Sequence, residues 1–154
     1  AIRKRSKVQL GFHAHNNLSM AVANSFIALE SGASIIDGTV RGFGAGAGNC
    51  QLEALMALMQ KAGIDTGVEL YKLLDAGEEI IKPIMKTLQG IDPISIVSGL
   101  AGVFSGFTPH VKKAAEEFGV DARDIFMELG KRKVVAGQED VIVDVAVNLS
   151  KKHQ

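Results

Sequence analysis

Two histidines separated by one residue are the side chains in this sequence that are best placed to do chemistry. His13 and His15 end a segment, residues 8–15, in which apolar and polar residues alternate as in a half-buried β-strand. Successive side chains of a strand point to opposite faces, so both imidazoles are predicted on one face, close enough to bind a single cation. The His-x-His pattern is short and common, and two histidines at a solvated strand end remain the alternative interpretation.

A glycine-rich turn at residues 42–49 is the second feature that suggests a ligand. Gly42, Gly44, Gly46 and Gly48 occupy every second position, so the backbone there can approach a bound molecule closely. The turn lacks the Gly-Lys-Ser/Thr of a P-loop, and its glycine spacing differs from that of the dinucleotide-binding fingerprint. The glycines by themselves leave a generic tight loop as the alternative.

The elements that position these two features alternate between strand and helix. Strands are predicted at residues 8–15 and 34–40, and helices at 18–31 and 50–62. Asn16 or Asn17 is the predicted N-cap of the first helix. This order with short connections is typical of a β/α fold built on a parallel sheet or barrel.

Beyond residue 63 the pattern becomes mostly helical. A helix is predicted at 69–82, with Pro83 at its end or just beyond, and residues 91–107 give no clear assignment. Three short helices follow at 109–118, 121–129 and 139–149, and Gly130 is the predicted end of the second of them. We therefore expect two domains, residues 1–83 and 84–154.

The composition excludes some classes of protein. Lys plus Arg and Asp plus Glu both number 17 in the 154 residues, so no net charge favours nucleic acid or an anionic membrane. The single Cys50 cannot form an internal disulfide, which fits a reducing cytosol, and no stretch has the composition of a membrane span or signal peptide. We therefore expect a soluble cytoplasmic protein or a piece of one. The absence of an initiator Met favours a piece of a longer polypeptide.

The two features together resemble a known superfamily. Residues 11–24, residues 37–49 and Leu52-Glu53 are similar to the metal-dependent pyruvate aldolases and acyltransferases, which include isopropylmalate and homocitrate synthases, hydroxymethylglutaryl-CoA lyase and the 4-hydroxy-2-oxovalerate aldolases. Asn16 and the complete match of the glycine turn favour the aldolase branch. Residues 100–105, 119–123 and 137–144 are similar to the C-terminal helical region of that branch. The resemblance implies an α/β fold, the C-terminal part of a (β/α)8 TIM barrel followed by a small helical domain.

The resemblance also implies a site and an activity. His13 and His15, with an aspartate from the first barrel strand, would bind Mn²⁺ or another divalent cation that acts as a Lewis acid in the cleavage of 4-hydroxy-2-oxovalerate to pyruvate and acetaldehyde. Asn49 would support the metal site or join it as a ligand. Phe104, at the position of a tyrosine that shapes the aldehyde pocket in relatives, would line the substrate pocket with Gly46 and Gly48.

The sequence departs from the family in several places. It lacks the first-strand Arg-Asp-Gly motif and the early His base, so the catalytic residues are unknown and the chain, as a C-terminal half, is expected to be inactive alone. Phe104 lacks the tyrosine hydroxyl, and Ala136 replaces the second glycine that relatives often have before Gly137, which would narrow the route of the aldehyde. His110 is expected to be structural, and His153 lies in the terminal tail.

The helical region in the family binds an acylating aldehyde dehydrogenase that receives the aldehyde. The apolar stripes within residues 125–129 and 141–149 are predicted core faces, or docking surfaces if that partner binds. Two other functions remain open: an acetyl-CoA-dependent 2-oxoacid synthase of the same superfamily, and a non-catalytic docking module for the dehydrogenase.

Overall fold

The computed structural model describes residues 7–152, which divide into two compact units after Gly90. The first unit combines two parallel strands with helices, and the second unit is helical. The first unit is thus α/β, as the alternating sequence pattern predicted.

The sheet of the first unit pairs β1 (Gly11–His13) with β2 (Ile35–Asp37) in parallel, with His13 opposite Asp37. Helix α1 (Ala21–Glu30) makes the crossover that parallel neighbours require. Both strands are shorter than predicted. Beyond them the chain turns toward the glycine-rich segment, where only single bridges form, between His15 and Asn49 and between Thr39 and Gln51.

The core of this unit lies between the sheet, α1 and helix α2 (Leu52–Lys61). Leu55 and Met59, four residues apart on α2, share one buried face, while the small side chains of Ala14 and Ala21 let the strand end and α1 pack closely. Phe12 and Ile36 from the sheet pack against this cluster. The sheet face opposite Phe12 is therefore the one that carries the histidines.

The start of α1 differs from the prediction. Ser19 adopts a left-handed conformation (φ 61°), which delays the helix to Ala21, and Met20 at the N-cap position makes no side-chain cap. Neither Asn16 nor Asn17 is therefore the N-cap residue. Asn16 Oδ1 instead accepts a hydrogen bond from the Ala21 backbone N–H at 3.2 Å, so it satisfies a free donor of the first turn from outside the helix.

The helix predicted at 69–82 is interrupted. It consists of α3 (Leu70–Ala76), a π-helical turn (Gly77–Ile81) and α4 (Lys82–Ile84). Pro83 lies inside the last turn, where its missing N–H is tolerated, and the expected domain limit at residue 83 falls within α4. A Cβ on Gly77 would lie 2.7 Å from Glu53 Oε1, so the glycine permits the π turn to approach α2.

Over its described residues, 91–152, the second unit contains four helices and a short 3-10 turn at Ser105–Phe107. Helix α5 (Pro93–Ala101) occupies the segment that the sequence pattern left unassigned, and it begins with a complete capping box. Asp92 Oδ1 accepts from the Ser95 N–H at 2.7 Å, and Ser95 Oγ accepts from the Asp92 N–H at 2.8 Å. The remaining helices are α6 (Thr108–Phe118), α7 (Ala122–Lys131) and α8 (Asp140–Ser150).

The two predicted apolar stripes form the core of the second unit. All of the following are buried: Ile125, Phe126, Leu129, Ile142 and Val145. The core interpretation is confirmed, and these side chains are not an exposed docking surface. Val141 and Leu149 are partly buried against the same cluster.

Gly130 does not end its helix as predicted. Helix α7 continues to Lys131, and a Cβ on Gly130 would lie 2.4 Å from the carbonyl oxygen of Ala101. Gly130 is therefore a close-packing residue between α5 and α7. Across residues 7–152, no helix is both long enough and apolar enough to cross a membrane.

Candidate metal centre at the carboxyl end of the strands

The two histidines lie side by side at the carboxyl end of β1. Their ring centroids are 4.9 Å apart, and the ring planes are inclined by 80°. Both residues are exposed while Ala14 between them is buried, so the shared face predicted from the alternation is confirmed. Their role as metal ligands stays a prediction.

Asp37 joins this pair, although it was not among the predicted site residues. Its Oδ2 lies 2.8 Å from His13 Nδ1, because the parallel register brings the last residues of β1 and β2 opposite each other. A carboxylate on one imidazole nitrogen fixes the ring and leaves Nε2 available to a cation, as in carboxylate–histidine–metal sites. The sequence signal was a carboxylate within the second predicted strand, residues 34–40.

The surroundings of His15 favour its neutral form. Partial burial is the main cause that lowers the pKa of His15, and the neighbouring His13 lowers it further, against a hydrogen bond to the Gly48 backbone that acts to raise it. Neutral imidazole is the form that donates an electron pair to a cation. His15 is thus held in the ligating state over a wider pH range than a free histidine.

The glycine-rich turn is attached directly to the strand end that carries His15. Backbone hydrogen bonds join Asn16 N–H to Gly48 O at 2.8 Å and Cys50 N–H to Ala14 O at 2.9 Å. Gly48 has φ 91°, and a Cβ there would lie 2.2 Å from the Gly42 carbonyl oxygen, so only glycine fits. Gly46, also with positive φ, is exposed within the turn.

Asn49 lies next to His15 through their backbone bridge, and its side chain packs under the turn. Its Nδ2 donates to the Phe43 carbonyl at 3.1 Å, and a Cβ on Gly44 would lie 2.5 Å from that nitrogen. Its Oδ1 is buried without a hydrogen-bond partner in the structure. A buried amide oxygen in this state is a group that a ligand would satisfy.

The donor set fits a divalent transition-metal cation. Two imidazoles, one of them oriented by a carboxylate, are the nitrogen part of a two-histidine, one-carboxylate site. Between residues 7 and 152, no cluster of three or more His, Cys, Asp or Glu side chains forms a complete ligand set. The additional carboxylate that the family resemblance implies therefore has no counterpart in this part of the chain.

Phe104 lies in the second unit, whereas Gly46 and Gly48 lie in the first. Its ring is edge-to-face with Phe107, with centroids 5.8 Å apart, and the residue is 45% exposed. The ring packs over Gly106, where a Cβ would lie 2.3 Å from Phe104 Cε1, whereas nothing lies within 4 Å of a Cβ on Gly102. The shared substrate pocket stays a prediction.

Two other features lie apart from the predicted set. A cavity of about 660 Å³ between α2 and α3 is lined by residues that include Met56, Ile64, Val68 and Tyr71, and by none of the predicted site residues. His110 is exposed on α6, and His153 lies outside the described residues.

Comparison with known proteins agrees with the class of site. The HMGL-like family model matches residues 1–80, and the DmpG-like communication domain matches residues 89–151. The chain belongs to the HMGL-like family.

Among curated proteins, the chain is 55% identical over 152 residues to 4-hydroxy-2-oxovalerate aldolase from Geobacillus stearothermophilus, covering 99% of this chain and 44% of that enzyme. It is 56% identical over 147 residues to the enzyme of the same name from Pectobacterium atrosepticum, covering 96% of this chain and 43% of that one. The resemblance to the aldolase branch is confirmed, and the chain spans less than half the length of these relatives.

One solved structure supports the fold. It is the N-terminal domain of a candidate aldolase from Bacteroides vulgatus, and it matches with a TM-score of 0.60 and 31% identity. The match covers 66% of this chain and 34% of that one.

Proposed function

We propose that this chain forms part of a divalent-metal-dependent aldolase that cleaves 4-hydroxy-2-oxovalerate to pyruvate and acetaldehyde. The observation that carries the proposal is the trio His13, His15 and Asp37 at the carboxyl end of two parallel strands, attached to the glycine turn. Relatives 55% and 56% identical carry the name of this enzyme, which supports the choice of substrate.

Each residue has a defined task in this proposal. His13 offers Nε2 because Asp37 occupies the side of Nδ1. Burial and the neighbouring His13 lower the pKa of His15, which favours its neutral, ligating form. The glycine turn packs closely against the strand end that carries His15, since a Cβ does not fit at Gly48. The cation, Mn²⁺ or another divalent ion, would supply the Lewis acidity that polarises the keto oxygen of the substrate.

The proposed architecture of the complete protein is a (β/α)8 barrel of which β1, α1, β2 and α2 form consecutive parts. Active sites of such barrels are built at the carboxyl ends of the strands, where His13 and Asp37 lie. Asn49 has a supporting role beside His15, and its unpaired Oδ1 is available to a bound ligand. A cytoplasmic location is part of the same proposal.

The reaction is tested by assaying the complete protein that contains this chain. With Mn²⁺ and 4-hydroxy-2-oxovalerate we expect pyruvate to form, and with acetyl-CoA and a 2-oxoacid we expect no release of free CoA. Release of CoA without pyruvate formation would replace the aldolase by the synthase of the same superfamily. Formation of neither product would refute both activities.

The second unit is proposed to bind an acylating aldehyde dehydrogenase that takes up the acetaldehyde. The match of residues 89–151 to a communication domain favours this role. Ile96 and Leu100 are separated by one helical turn on α5 and are 45% and 68% exposed, so they form an apolar strip outside the core.

The docking proposal is tested by co-purification of the complete protein with such a dehydrogenase. Leu100→Asp should weaken the complex, and Val135→Asp, at a 62% exposed position outside α5, is the matched control. Equal binding by both variants and the unmodified protein would exclude this strip as the contact.

A further inference from the structure

Arg41, the residue before the glycine turn, has a backbone conformation that few side chains adopt. Its φ is 56°, in the left-handed region that favours glycine. Both carboxylate oxygens of Glu53 accept from its backbone N–H, each at 2.9 Å. Strained conformations of this kind persist only where the surroundings hold them, and they concentrate at functional sites.

Glu53 lies on the buried face of α2. It is only 5% exposed, and burial of a carboxylate is costly unless hydrogen bonds compensate it. The neighbouring π turn leaves room for it, because a Cβ on Gly77 would lie 2.7 Å from Glu53 Oε1. A hydrophobic residue at position 53 would avoid the cost of burial, so the carboxylate must offer something that packing alone does not.

The side chain of Arg41 contacts a third element, the π turn. Its guanidinium donates to Glu78 of the π turn, which also pairs with Lys82 at 2.5 Å. Arg41 therefore joins the start of the glycine turn to α2 through its backbone and to the π turn through its side chain. The turn begins from a fixed position although half of its residues are glycine.

The hydrogen bonds continue from Arg41 to the histidines. The carbonyl of the next residue, Gly42, accepts from the Asn49 N–H at 2.9 Å. Asn49 in turn forms an antiparallel β-bridge with His15. The Gly48 carbonyl accepts from the Asn16 N–H at 2.8 Å, on the other side of His15. A shift of Arg41 would move the turn that is hydrogen-bonded to the backbone on both sides of His15.

We propose that Glu53 and Arg41 are positioning residues of the metal centre: the buried carboxylate holds Arg41 in its left-handed conformation and thereby fixes the glycine turn against His15. The expected effect on Mn²⁺ binding rests on the proposed function, whereas the expected effect on the position of His15 does not. Glu53 contacts neither cation nor substrate in this account, and it acts through the turn.

The test compares variants of the complete protein by NMR of ¹³C-labelled histidine rings and by Mn²⁺ titration. Glu53→Ala removes the acceptor and should displace the ring signals of His15 and weaken Mn²⁺ binding by ~10-fold or more. Glu53→Gln keeps one acceptor oxygen and should have a smaller effect. Arg41→Gly keeps the backbone N–H and tolerates positive φ, so its effect should be smaller than that of Glu53→Ala.

Leu55→Ala is the matched control for general loss of stability. Leu55 is buried on the same helix, so its truncation lowers the melting temperature through the core without touching the Arg41 contact. Glu79→Ala controls for loss of a negative charge at an exposed neighbour of Glu78. Both controls should keep the His15 signals and the Mn²⁺ affinity.

The outcomes separate this inference from the proposed function. Unchanged His15 signals in Glu53→Ala, or an equal displacement in Leu55→Ala, would overturn the positioning role. If no variant and no unmodified protein binds Mn²⁺, the metal function fails, while a His15 displacement specific to position 53 still supports positioning. If Glu53→Ala does not fold, the His15 ring signals and the Mn²⁺ affinity of Glu53→Gln are compared with those of Leu55→Ala. A larger change in Glu53→Gln supports the positioning role, and an equal or smaller change overturns it.

Discussion

At the scale of single residues, the most informative contact is that between Asp37 and His13. The sequence predicted the histidine pair, because alternation along one strand decides which side chains share a face. It did not predict Asp37 as a partner, because the register between two strands is a property of their pairing. The packing of Asn49 under the turn was not predicted either, because it depends on how the turn folds around Gly44.

Asp37→Asn should therefore weaken cation binding. The amide keeps the size of the side chain but removes the charge that orients His13 through the 2.8 Å contact, and loss of such a partner typically costs 10–100-fold in metal affinity, about 10-fold being the least expected here. Mn²⁺ titration of the complete protein measures the change. Asp65→Asn, in an exposed loop, is the control, and equal affinities of the two variants would contradict the orienting role.

Phe104→Tyr tests the predicted pocket role of the aromatic ring. Since Phe104 is 45% exposed, water can solvate the added hydroxyl, and the melting temperature should change little. A hydrogen bond to substrate should change discrimination between 4-hydroxy enantiomers or aldehyde lengths by about 1–3 kcal/mol. The measurement is kcat/KM for both enantiomers.

Phe107→Tyr provides the contrast for Phe104, because Phe107 is 1% exposed and a hydroxyl there is buried. It should lower the melting temperature and leave the selectivity ratio alone. An unchanged ratio in Phe104→Tyr would remove that residue from the pocket.

At the scale of elements, glycines show what a sequence pattern can and cannot give. Gly119 ends α6 in a left-handed conformation, as its position after the helical pattern predicts. Gly130 has the same sequence context but lies inside α7. Glycine is required there because the carbonyl oxygen of Ala101 in α5 leaves no room for a side chain. Only tertiary contacts distinguish the two cases, and the π turn at Gly77 is a third example.

Gly130→Ala should destabilise the second unit although alanine is the better helix former. The new Cβ would lie 2.4 Å from the Ala101 carbonyl oxygen, so α5 and α7 must separate, at a cost of about 1–3 kcal/mol. Chemical denaturation measures the free energy of unfolding. Gly90→Ala, where nothing lies within 4 Å of the new atom, is the matched control, and equal stability of both variants would disprove the close packing.

Asp121, the N-cap of α7, should make stability depend on pH in the acid range. Hydrogen bonds from the Arg123 side chain and backbone lower the pKa of Asp121 to about 2, from an ordinary value of 3.8. A carboxylate with a lowered pKa stabilises the fold fully above about pH 4, and this contribution is lost as the pH falls toward 2.

The stability difference between the unmodified protein and Asp121→Asn should therefore be largest near pH 6 and shrink at pH 2. Unfolding curves at both pH values measure it, with Asp144→Asn on the exposed face of α8 as the control for the substitution itself. An identical difference at both pH values would refute the charge contribution of the cap.

At the scale of the whole molecule, the order of strands and helices in the first unit was predictable from the sequence. The division into two units and helix α5 were not. Alternating strand and helix patterns predicted the β-α-β-α order of the first unit, because both periods are visible in the sequence. The division after Gly90 and helix α5 depend on contacts between distant segments, which a pattern does not record. The chain spans 44% of the length of the Geobacillus stearothermophilus relative, so the proposed barrel needs elements beyond the two strands described.

The central claim is that His13 and His15 bind the divalent cation of an aldolase, and Mn²⁺ binding by histidine variants of the complete protein tests it most directly. His13→Ala and His15→Ala should each lower Mn²⁺ affinity by ~10-fold or more, with a parallel loss of pyruvate formation. His110→Ala, at an exposed position on α6, should leave both unchanged. Unaltered Mn²⁺ affinity and pyruvate formation in His15→Ala would contradict the account.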